Sequence, residues 1–244
     1  MTSLVSEGKV KMPQSIGIIM DGNRRFAKEL MKRPWKGHEF GVSKARKVLR
    51  WSDELGIEYL TIYALSVENL KTRPNMEFRK ILHYFEKELD EVLTGNHIAH
   101  ETKTRVKFIG RIGLLKKDLR NKMKKVEEMT KDYDKHLLSV AVAYGGQQEI
   151  VDACKKISLE VMDGMIEPHQ INESLFKESL YTNGFQCPDL IIRTGGERRL
   201  SNFLLWQSAY SELAFTDQKW PEFSRENFVS IIKDYQKRER RFGK

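Results

Sequence analysis

The sequence contains little that would point to a metal finger, a secreted protein or a membrane span. Only two of its 244 residues are cysteine, Cys154 and Cys187, and they show no paired metal-binding spacing. This scarcity argues against a structural zinc site and fits a reducing, cytoplasmic compartment. No apolar run approaches the roughly 20 residues that span a bilayer, and the polar residues 1–12 lack a signal-peptide apolar region. We therefore expect a soluble cytoplasmic protein with flexible residues 1–12, and contact with a membrane surface stays open.

Common nucleotide- and nucleic-acid-binding motifs are also missing. The chain has no G-x-x-x-x-G-K-[ST] or G-x-G-x-x-G loop, and no zinc-finger spacing or aromatic RNA-binding signature. Its net charge of +9 nevertheless favours anionic partners. Nucleic acid, anionic lipid headgroups and phosphorylated small molecules all fit that charge, so composition alone leaves the choice open.

The distribution of apolar residues predicts an α/β protein. Hydrophobic residues make up 40% of the chain, enough for one sizeable core, so we expect a single domain over residues 1–244. Apolar runs alternate with segments of helical periodicity, which favours a mostly parallel sheet flanked by helices. The predicted strands lie at residues 16–20, 59–65, 106–109, 137–144, 190–192 and around 213–215. The predicted helices lie near residues 42–54, 75–93, 115–131, 148–162 and 227–237.

The first predicted strand runs into the polar sequence Asp21-Gly22-Asn23-Arg24-Arg25. Ligands of parallel sheets bind beyond the carboxyl ends of the strands, so an acid here is a candidate site residue. A carboxylate can hold Mg2+ while the two arginines hold phosphate oxygens, an arrangement suited to a metal-bound diphosphate. From this segment alone, an ordinary turn capped by Asp21 remains an equal alternative.

Two later strands also run into polar segments. The second is followed by Ser66, Glu68, Asn69 and Arg73, which alone would also fit a polar loop that caps the next helix. The strand near residue 190 leads into a glycine-containing loop, residues 193–202, whose arginines and Ser201 fit an anion cradle. A flexible basic loop is the alternative there.

Two further acidic or histidine-containing segments deserve an interpretation. Glu212 stands at the start of an apolar run, where an acid is unusual unless it has a partner or a metal, and a carboxylate in water is the alternative. His97, His100 and Glu101 could form a metal cluster, but the segment is polar and we interpret it as a solvated turn.

Taken together, these segments resemble one family, the cis-prenyltransferases, also called undecaprenyl diphosphate synthase-like proteins. The similarity covers residues 13–243, and the segments that carry it occur in the family's order. They are residues 19–28, 37–38, 63–66, 68–69, 144–146, 189–197, 201–207, 212 and 238–243.

The resemblance implies a fold, a reaction and a cofactor. It implies a homodimer whose subunits have a central parallel sheet and an apolar substrate tunnel, and which elongates an allylic isoprenoid diphosphate with isopentenyl diphosphate in a Mg2+-dependent reaction. No organic cofactor and no nucleic-acid partner are expected. The absence of the D-D-x-x-D motif of trans-type synthases favours the cis class. The tunnel wall, or plain core packing, would explain the helical stripe Phe78, Ile81, Leu82, Phe85, Leu89, Val92 and Leu93.

The resemblance also implies roles for individual residues. Asp21 matches the family's essential acid, which handles Mg2+ and the diphosphate, and Glu212 matches a second metal-site acid. Ser66 and Asn69 would position the reacting ends and remove the proton, and Gly243 lies in a tail that completes the partner subunit's site. The remaining implied substrate-binding residues are Gly22, Asn23, Arg24, Arg25, Phe26 and His38 at the allylic diphosphate, Arg193, Arg199 and Ser201 at isopentenyl diphosphate, and Glu68 and Arg73.

The chain departs from the family pattern near these diphosphate sites. Pro34, Leu70 and Arg198 replace an arginine, a tryptophan and a histidine that many members carry, and one extra residue separates Asn69 from Arg73. Ordinary lineage variation explains this, and a short or irregular, branched coupling of allylic diphosphates is the sharper alternative. A non-catalytic subunit of a heteromeric enzyme is a further alternative, although the retained Asp21 argues against it. A nucleic-acid-binding protein rests on the charge alone.

Overall fold

The computed structural model describes residues 12–72 and 75–238. In this part of the chain six strands form one sheet in the order β3-β4-β2-β1-β5-β6, and every neighbouring pair is parallel. The predicted α/β class and parallel sheet are confirmed. The strands are β1 (Ser15–Ile19), β2 (Tyr59–Ser66), β3 (Thr104–Ile109), β4 (His136–Tyr144), β5 (Leu190–Arg193) and β6 (Glu212–Phe215).

The helices connect and cover these strands. The five predicted helices are all present, with starts or ends shifted by a few residues, except that the helix predicted near residues 42–54 begins six residues earlier. The helices are α1 (Asn23–Glu29), α2 (Lys36–Glu54), α3 (Val67–Thr72), α4 (Asn75–Leu93), α5 (Ile98–Glu101), α6 (Lys117–Met129), α7 (Gly146–Met162), α8 (Glu173–Ser179) and α9 (Arg225–Lys237). Within residues 12–72 and 75–238, none of them combines the length and apolar content that a membrane span needs.

The central strands are buried on both faces, as their continuous apolar runs predict. All residues of β1 and β5 are buried, and so are eight of the nine in β4. A large apolar cluster fills the sheet face covered by α2, α4, α6 and α9, and a smaller one around Tyr144 and Phe203 fills the other. Each fully buried aliphatic side chain in these clusters contributes on the order of 1.5–3 kcal/mol to folding.

One sequence interpretation of local structure is wrong. The segment from His97 to Glu101 was expected to be a solvated turn, but Ile98–Glu101 forms α5, and His97 and Ala99 are buried. The His97 imidazole Nδ1 accepts a hydrogen bond from the Ala99 N–H at 3.1 Å and so caps this short helix. The segment is mostly polar, but its two apolar residues, Ile98 and Ala99, pack into the main core and bury it.

The sheet order places a topological switch between β1 and β5. The chain leaves β1 toward β2 on one side, and it leaves β5 toward β6 on the other. Ile19 at the end of β1 pairs with Arg193 at the end of β5. Because connections diverge at such a point, the carboxyl ends of β1 and β5 frame a crevice where ligands of open α/β sheets bind.

Candidate active site

Asp21 and Arg193 meet at this crevice. An Arg193 Nη2–H donates to Asp21 Oδ2 at 2.8 Å, and Arg25 Nη2 lies 3.4 Å from the other carboxylate oxygen. The Arg193 side chain is only 5% exposed, whereas that of Asp21 is 32% exposed. A buried guanidinium thus fixes a carboxylate that solvent and ligands can still reach.

The Arg193 guanidinium also ties the site to the loop that follows β5. Its Nη1 donates to Ser201 Oγ at 2.7 Å and to the backbone carbonyl of Arg199. Its buried Nε has no hydrogen-bond partner. The charge of Arg193 beside the ligand-accessible Asp21 favours an anion, because an ionised donor forms strong hydrogen bonds with phosphate oxygens.

Two glycines allow the strand ends to approach this closely. Gly22 adopts a φ of 100°, and a Cβ there would lie 2.7 Å from the Lys219 side chain. Gly195 has a φ of 86°, and a Cβ there would lie 2.7 Å from Arg25 Nη2. Positive φ angles favour glycine, and the missing side chains keep the two loops and Arg25 in contact.

Thr194 and Trp220 fix the backbone beside the carboxylate, and the motif reading missed both of them. The Asp21 N–H donates to Thr194 Oγ1 at 3.1 Å, and the Thr194 hydroxyl donates to the Asp21 carbonyl at 2.8 Å. The backbone N–H of Trp220 donates to the same carbonyl. These contacts join segments some 170 to 200 residues apart, which no local pattern reveals.

A buried glutamate joins two of the predicted allylic-site residues. Glu77, on α4, is 3% exposed and lies 3.5 Å from Arg24 Nε and 3.8 Å from His38 Nε2. We name Glu77, Arg24 and His38 the outer cluster. It connects α1, α2 and α4 at the entrance of the site, and the sequence reading missed Glu77 because its position fits any polar helix start.

Ser66, Glu68 and Asn69 lie together at the end of β2. Ser66 Oγ accepts a hydrogen bond from the Asn69 N–H at 3.1 Å at the start of α3. Glu68 Oε1 accepts one from Asn202 Nδ2 at 2.9 Å, and Asn202 Oδ1 accepts one from the Gln147 N–H. The β2, β4 and β5 ends are therefore connected through Asn202, another residue that the sequence reading did not single out as a site residue.

A cavity of about 1120 Å3 begins at these polar residues and extends between α2, α4 and the sheet. Its entrance is basic, with Arg24, Arg25, Lys28 and Lys32 in its wall. Deeper in, apolar side chains dominate. Five residues of the predicted α4 stripe line it, Ile81, Leu82, Phe85, Leu89 and Val92, while Phe78 and Leu93 pack against the core.

Tyr63 separates the polar entrance from the smaller core. Its ring stacks on Phe203 at 4.8 Å, and its hydroxyl lies 3.2 Å from the Tyr144 carbonyl and 3.4 Å from the Ser201 carbonyl. Burial raises the pKa of the Tyr63 hydroxyl, and the charge of Glu68 raises it further. Tyr63 thus stays protonated, and its one hydroxyl hydrogen is shared between the carbonyls of Tyr144, at the end of β4, and Ser201, in the loop after β5.

The structure brings most of the predicted site residues to the cavity wall. Those that line it are Asp21, Gly22, Asn23, Arg24, Arg25, His38, Ser66, Glu68, Asn69, Arg193 and Ser201. Asn23 turns its side chain inward, where Nδ2 donates to the Met20 carbonyl at 3.0 Å. Arg73 and Gly243 lie outside the described residues.

Three predicted site residues lie elsewhere. Phe26 packs edge-on against Phe40. The exposed Arg199 side chain pairs with Glu197, and only its backbone carbonyl contacts Arg193. Each therefore lacks, within this chain, the wall position expected of a substrate contact.

Glu212 is the third. It lies at the amino end of its strand, whereas Asp21 follows the carboxyl end of β1. β6 begins at Glu212, which pairs with Leu190, while Phe215 pairs with Arg193. Since parallel strands align their starts, Glu212 stands about 10 Å along the strand from the carboxyl end. Its carboxylate accepts a hydrogen bond from Arg238 Nη1 at 2.6 Å. Within one chain, Asp21 and Glu212 do not form a shared metal site.

Asp21 can contribute one carboxylate to a metal ion. Among the residues that the structure describes, no group of three or more His, Cys, Asp or Glu side chains is arranged to hold a metal. Mg2+ is commonly bound by only one or two carboxylates, with substrate phosphates and water completing its shell. The partly exposed Asp21 beside an anion-binding arginine fits that pattern.

Comparisons with known proteins agree with this architecture. Residues 19–243 match the prenyltransferase family described by the name undecaprenyl diphosphate synthase. A Methanopyrus kandleri protein is 48% identical over 98% of this chain and 87% of its own length. A Methanocaldococcus jannaschii protein is 50% identical over 97% and 84%. Both are named tritrans,polycis-undecaprenyl-diphosphate synthase (geranylgeranyl-diphosphate specific).

A solved structure supports the same assignment. Lavandulyl diphosphate synthase from Lavandula x intermedia, in complex with dimethylallyl diphosphate, superposes with a TM-score of 0.91. It is 33% identical, and the alignment covers 97% of this chain and all of that one. The family similarity that the motifs predicted is confirmed over nearly the whole sequence, and the chain belongs to the undecaprenyl diphosphate synthase family of prenyltransferases.

Proposed function

We propose that this chain is a single-domain prenyltransferase that elongates an allylic diphosphate with isopentenyl diphosphate and forms cis double bonds. The observation that carries the proposal is the joining of two features. At the switch point, arginines hold the Asp21 carboxylate, and this carboxylate lies in the wall of a largely apolar cavity of about 1120 Å3. The names of the archaeal relatives support geranylgeranyl diphosphate as the primer.

The charges at the entrance suit the departure of a diphosphate. Breaking the allylic C–O bond places negative charge on the leaving group, and preorganised cations stabilise that charge as it develops. Arg25 and Arg193 already face Asp21, and Arg24 is more than half exposed at the entrance. The apolar walls exclude water from the allylic cation, so the isopentenyl double bond is its nearest nucleophile.

We further propose Mg2+ as the metal, with Asp21 as its ligand from this chain. When bound, the ion supplies Lewis-acid stabilisation to the diphosphate oxygens. Arg193 holds the Asp21 carboxylate in position, and its link to Ser201 orients the loop that would receive isopentenyl diphosphate. A metal role for Glu212 requires a second subunit, because within one chain Glu212 lies at the amino end of the sheet and Asp21 lies at the carboxyl end.

Ser66 and Asn69 are proposed to position the reacting ends and to help remove the proton that is lost as the new double bond forms, with a diphosphate oxygen as its final acceptor. Both line the cavity at the end of β2, beside Glu68. A homodimer is proposed with them, in which the tail around Gly243 completes the partner's site. A product with a long apolar chain leaves for a lipid phase, so we also propose a cytoplasmic enzyme that works beside a membrane surface.

Irregular or short coupling of allylic diphosphates is the second candidate. The departures at Pro34, Leu70 and Arg198 and the structural similarity to lavandulyl diphosphate synthase favour it. The higher identity to the two archaeal synthases favours regular elongation.

A product assay tests both candidates. Purified protein, Mg2+ and labelled isopentenyl diphosphate are combined separately with dimethylallyl, geranyl, farnesyl and geranylgeranyl diphosphate, and one arm omits isopentenyl diphosphate. We expect label in a long cis product, most rapidly with the geranylgeranyl primer, and no product after chelation of the metal. Product from allylic diphosphate alone would establish irregular coupling. Absence of product with every primer would contradict the enzyme proposal and favour a non-catalytic subunit.

A further inference from the structure

Three polar side chains interrupt the apolar wall of the cavity. Arg46 on α2 forms a two-point ion pair with Glu88 on α4, with Nε–Oε2 and Nη2–Oε1 distances of 2.8 and 2.5 Å. His97 Nε2 lies 3.4 Å from Glu88 Oε2. All three residues line the cavity, and their side chains are 33%, 20% and 8% exposed, respectively.

Apolar lining residues lie on both sides of this ion pair. On α2, Val42 stands one turn before Arg46 and Leu49 one turn after it, and both line the cavity. On α4, Phe85 and Val92 stand in the same relation to Glu88. The three polar side chains therefore form a narrow band in the cavity wall. The band lies between two apolar stretches, away from both the entrance and the apolar end.

The two helices give the depth of this band. Arg46 follows His38 by eight residues, and Glu88 follows Glu77 by eleven. Helices rise 1.5 Å per residue, so the band lies about 12–17 Å inward from the outer cluster. That depth exceeds the length of a dimethylallyl or geranyl chain and is close to that of a geranylgeranyl chain, so a geranylgeranyl primer reaches the band and each added prenyl unit pushes the chain past it.

Arg46 and Glu88 form a charged pair in the cavity wall. Burial opposes ionisation of Glu88, but hydrogen bonds from His97 and Arg46 outweigh it and hold the pKa of the Glu88 carboxyl below its usual value. The Arg46 and Glu88 side chains keep 33% and 20% of their surface exposed, so water can reach them when no chain lies at this depth. An alkyl chain that covers it removes water and offers no hydrogen bond in return, which is unfavourable for charged groups.

We propose that Arg46, Glu88 and His97 form a polar collar that limits the length of the prenyl chain, and hence selects the product. The inference rests on the proposed chain elongation. A chain extends with favourable burial up to the collar, and further extension has to cover the ion pair before the apolar stretch around Leu49 and Val92 is reached. The collar therefore slows elongation at a defined depth.

The test replaces the collar by apolar side chains of similar length in the double variant Arg46→Met/Glu88→Leu. Removing both partners avoids an unpaired buried charge. The matched control is Arg50→Met/Glu101→Leu, which removes an ion pair between α2 and α5 whose side chains are 56% and 65% exposed and do not line the cavity. Geranylgeranyl diphosphate serves as the primer and isopentenyl diphosphate carries the label. The lengths of the labelled products are measured by chromatography.

We expect the collar variant to shift the main product by at least one prenyl unit toward longer chains, with a several-fold rise in the longest products, and the control to match the wild type. An unchanged or shorter distribution from the folded variant would overturn the proposal. If the double variant does not fold, Glu88→Gln keeps the shape and weakens the charge, and a smaller shift in the same direction is expected. An unchanged distribution from that variant contradicts the collar equally.

A binding measurement separates the collar from the proposed reaction. Non-reactive thiolo-diphosphate analogues with geranyl, farnesyl, geranylgeranyl and longer chains are titrated into wild type and variants without turnover. Wild-type affinity should rise with chain length and stop rising at the collar, while in the collar variant the rise should continue. The same plateau in both proteins would refute the collar. A protein that binds the analogues in this way but transfers no label would contradict the proposed function alone.

Discussion

The outer cluster and the polar collar are built from the same three residue types and link the same two helices, yet they differ in geometry. Both centre on a glutamate of α4, Glu77 or Glu88, which faces an arginine and a histidine. In the outer cluster the contacts span 3.5 and 3.8 Å, and the arginine belongs to the short helix α1. In the collar the arginine belongs to α2 and makes a two-point contact of 2.5–2.8 Å.

The helices α2 and α4 thus carry an exchangeable contact at the entrance and a fixed contact deeper in the cavity. Arg24 is exposed and its contact with Glu77 is long, so it can leave Glu77 and bind a phosphate oxygen at little cost in free energy. A short two-point contact with limited exposure fixes α2 against α4 and does not exchange readily. We therefore expect changes near the entrance to act on turnover and changes at the collar to act on stability and product length.

The largest expected effect is the loss of turnover in Asp21→Ala. The variant removes the carboxylate that Arg193 and Arg25 hold, so we expect the rate to fall by at least about 100-fold, on the scale of losing one preorganised electrostatic contact. Label incorporation from isopentenyl diphosphate measures it. Asp132→Ala, an exposed carboxylate in the turn after α6, serves as the control and should retain the wild-type rate.

Asp21→Ala leaves the buried Arg193 guanidinium without its carboxylate, which lowers stability. We expect the variant to stay folded, because Ser201 Oγ and the Arg199 carbonyl still accept hydrogen bonds from Arg193 and Thr194 and Trp220 hold the backbone at this position. Thermal unfolding followed by circular dichroism checks this. A variant that keeps its unfolding temperature and also its rate would remove Asp21 from the mechanism and would end the contrast between the two regions.

The collar should show the opposite behaviour in Glu88→Ala. The change leaves Arg46 and His97 without their shared acceptor inside the cavity wall, and we expect a loss of about 1–3 kcal/mol in the free energy of unfolding. For a chain of this size that is a fall of very roughly 2–10 °C in the unfolding temperature. Arg50→Ala, from the exposed pair with Glu101, should lose less than about 1 kcal/mol.

Equal stability losses in these two variants would mean that burial gives the collar no special rigidity. Denaturant unfolding is a better measurement here than thermal unfolding. If the dependence of the unfolding free energy on denaturant concentration is unchanged, the variant has altered stability and has not altered the unfolded state.

The contrast also shows what the sequence can and cannot predict. Apolar runs that end in Asp21 and Arg193 place both residues at carboxyl strand ends, because a parallel sheet aligns those ends whatever the loops do. The collar has no such signal. Glu88 is one polar residue beside a helical stripe, and only the packing of α2 against α4 decides whether it faces Arg46 or water.

Glu212 and His97 illustrate the same limit in opposite directions. The resemblance predicts Glu212 as a metal-site acid. Because Glu212 starts a parallel strand, it lies within its own chain at the amino end of that strand, away from Asp21. His97 was interpreted as solvated, although its two apolar neighbours anchor it in the core. Position along the strand determines where Glu212 lies and burial by distant elements determines where His97 lies, and residue type reveals neither.

A smaller effect is expected in the pH dependence of stability. Hydrogen bonds from His97 and Arg46 hold the pKa of Glu88 below its usual value, against the effect of burial. The stabilisation is therefore fully present above the unfolded pKa of about 4.3 and is lost as the pH falls through the lower, folded value. The difference in unfolding free energy between wild type and Glu88→Gln should shrink below about pH 4. A difference that is constant from pH 7 down to pH 3 would contradict this account.

The smallest expected effect comes from Arg24→Gln in the outer cluster. The Arg24 side chain is 58% exposed, so its removal should change the free energy of unfolding by less than about 1 kcal/mol. The KM for the allylic diphosphate should rise a few-fold at low salt, because a cation that can leave Glu77 for a phosphate is lost. Salt screens exposed charges, so the rise should diminish at high ionic strength. A KM that is unaffected at low salt, with stability lowered as much as in Glu88→Ala, would mean that the contacts of the outer cluster are as fixed as those of the collar and that the two regions do not differ.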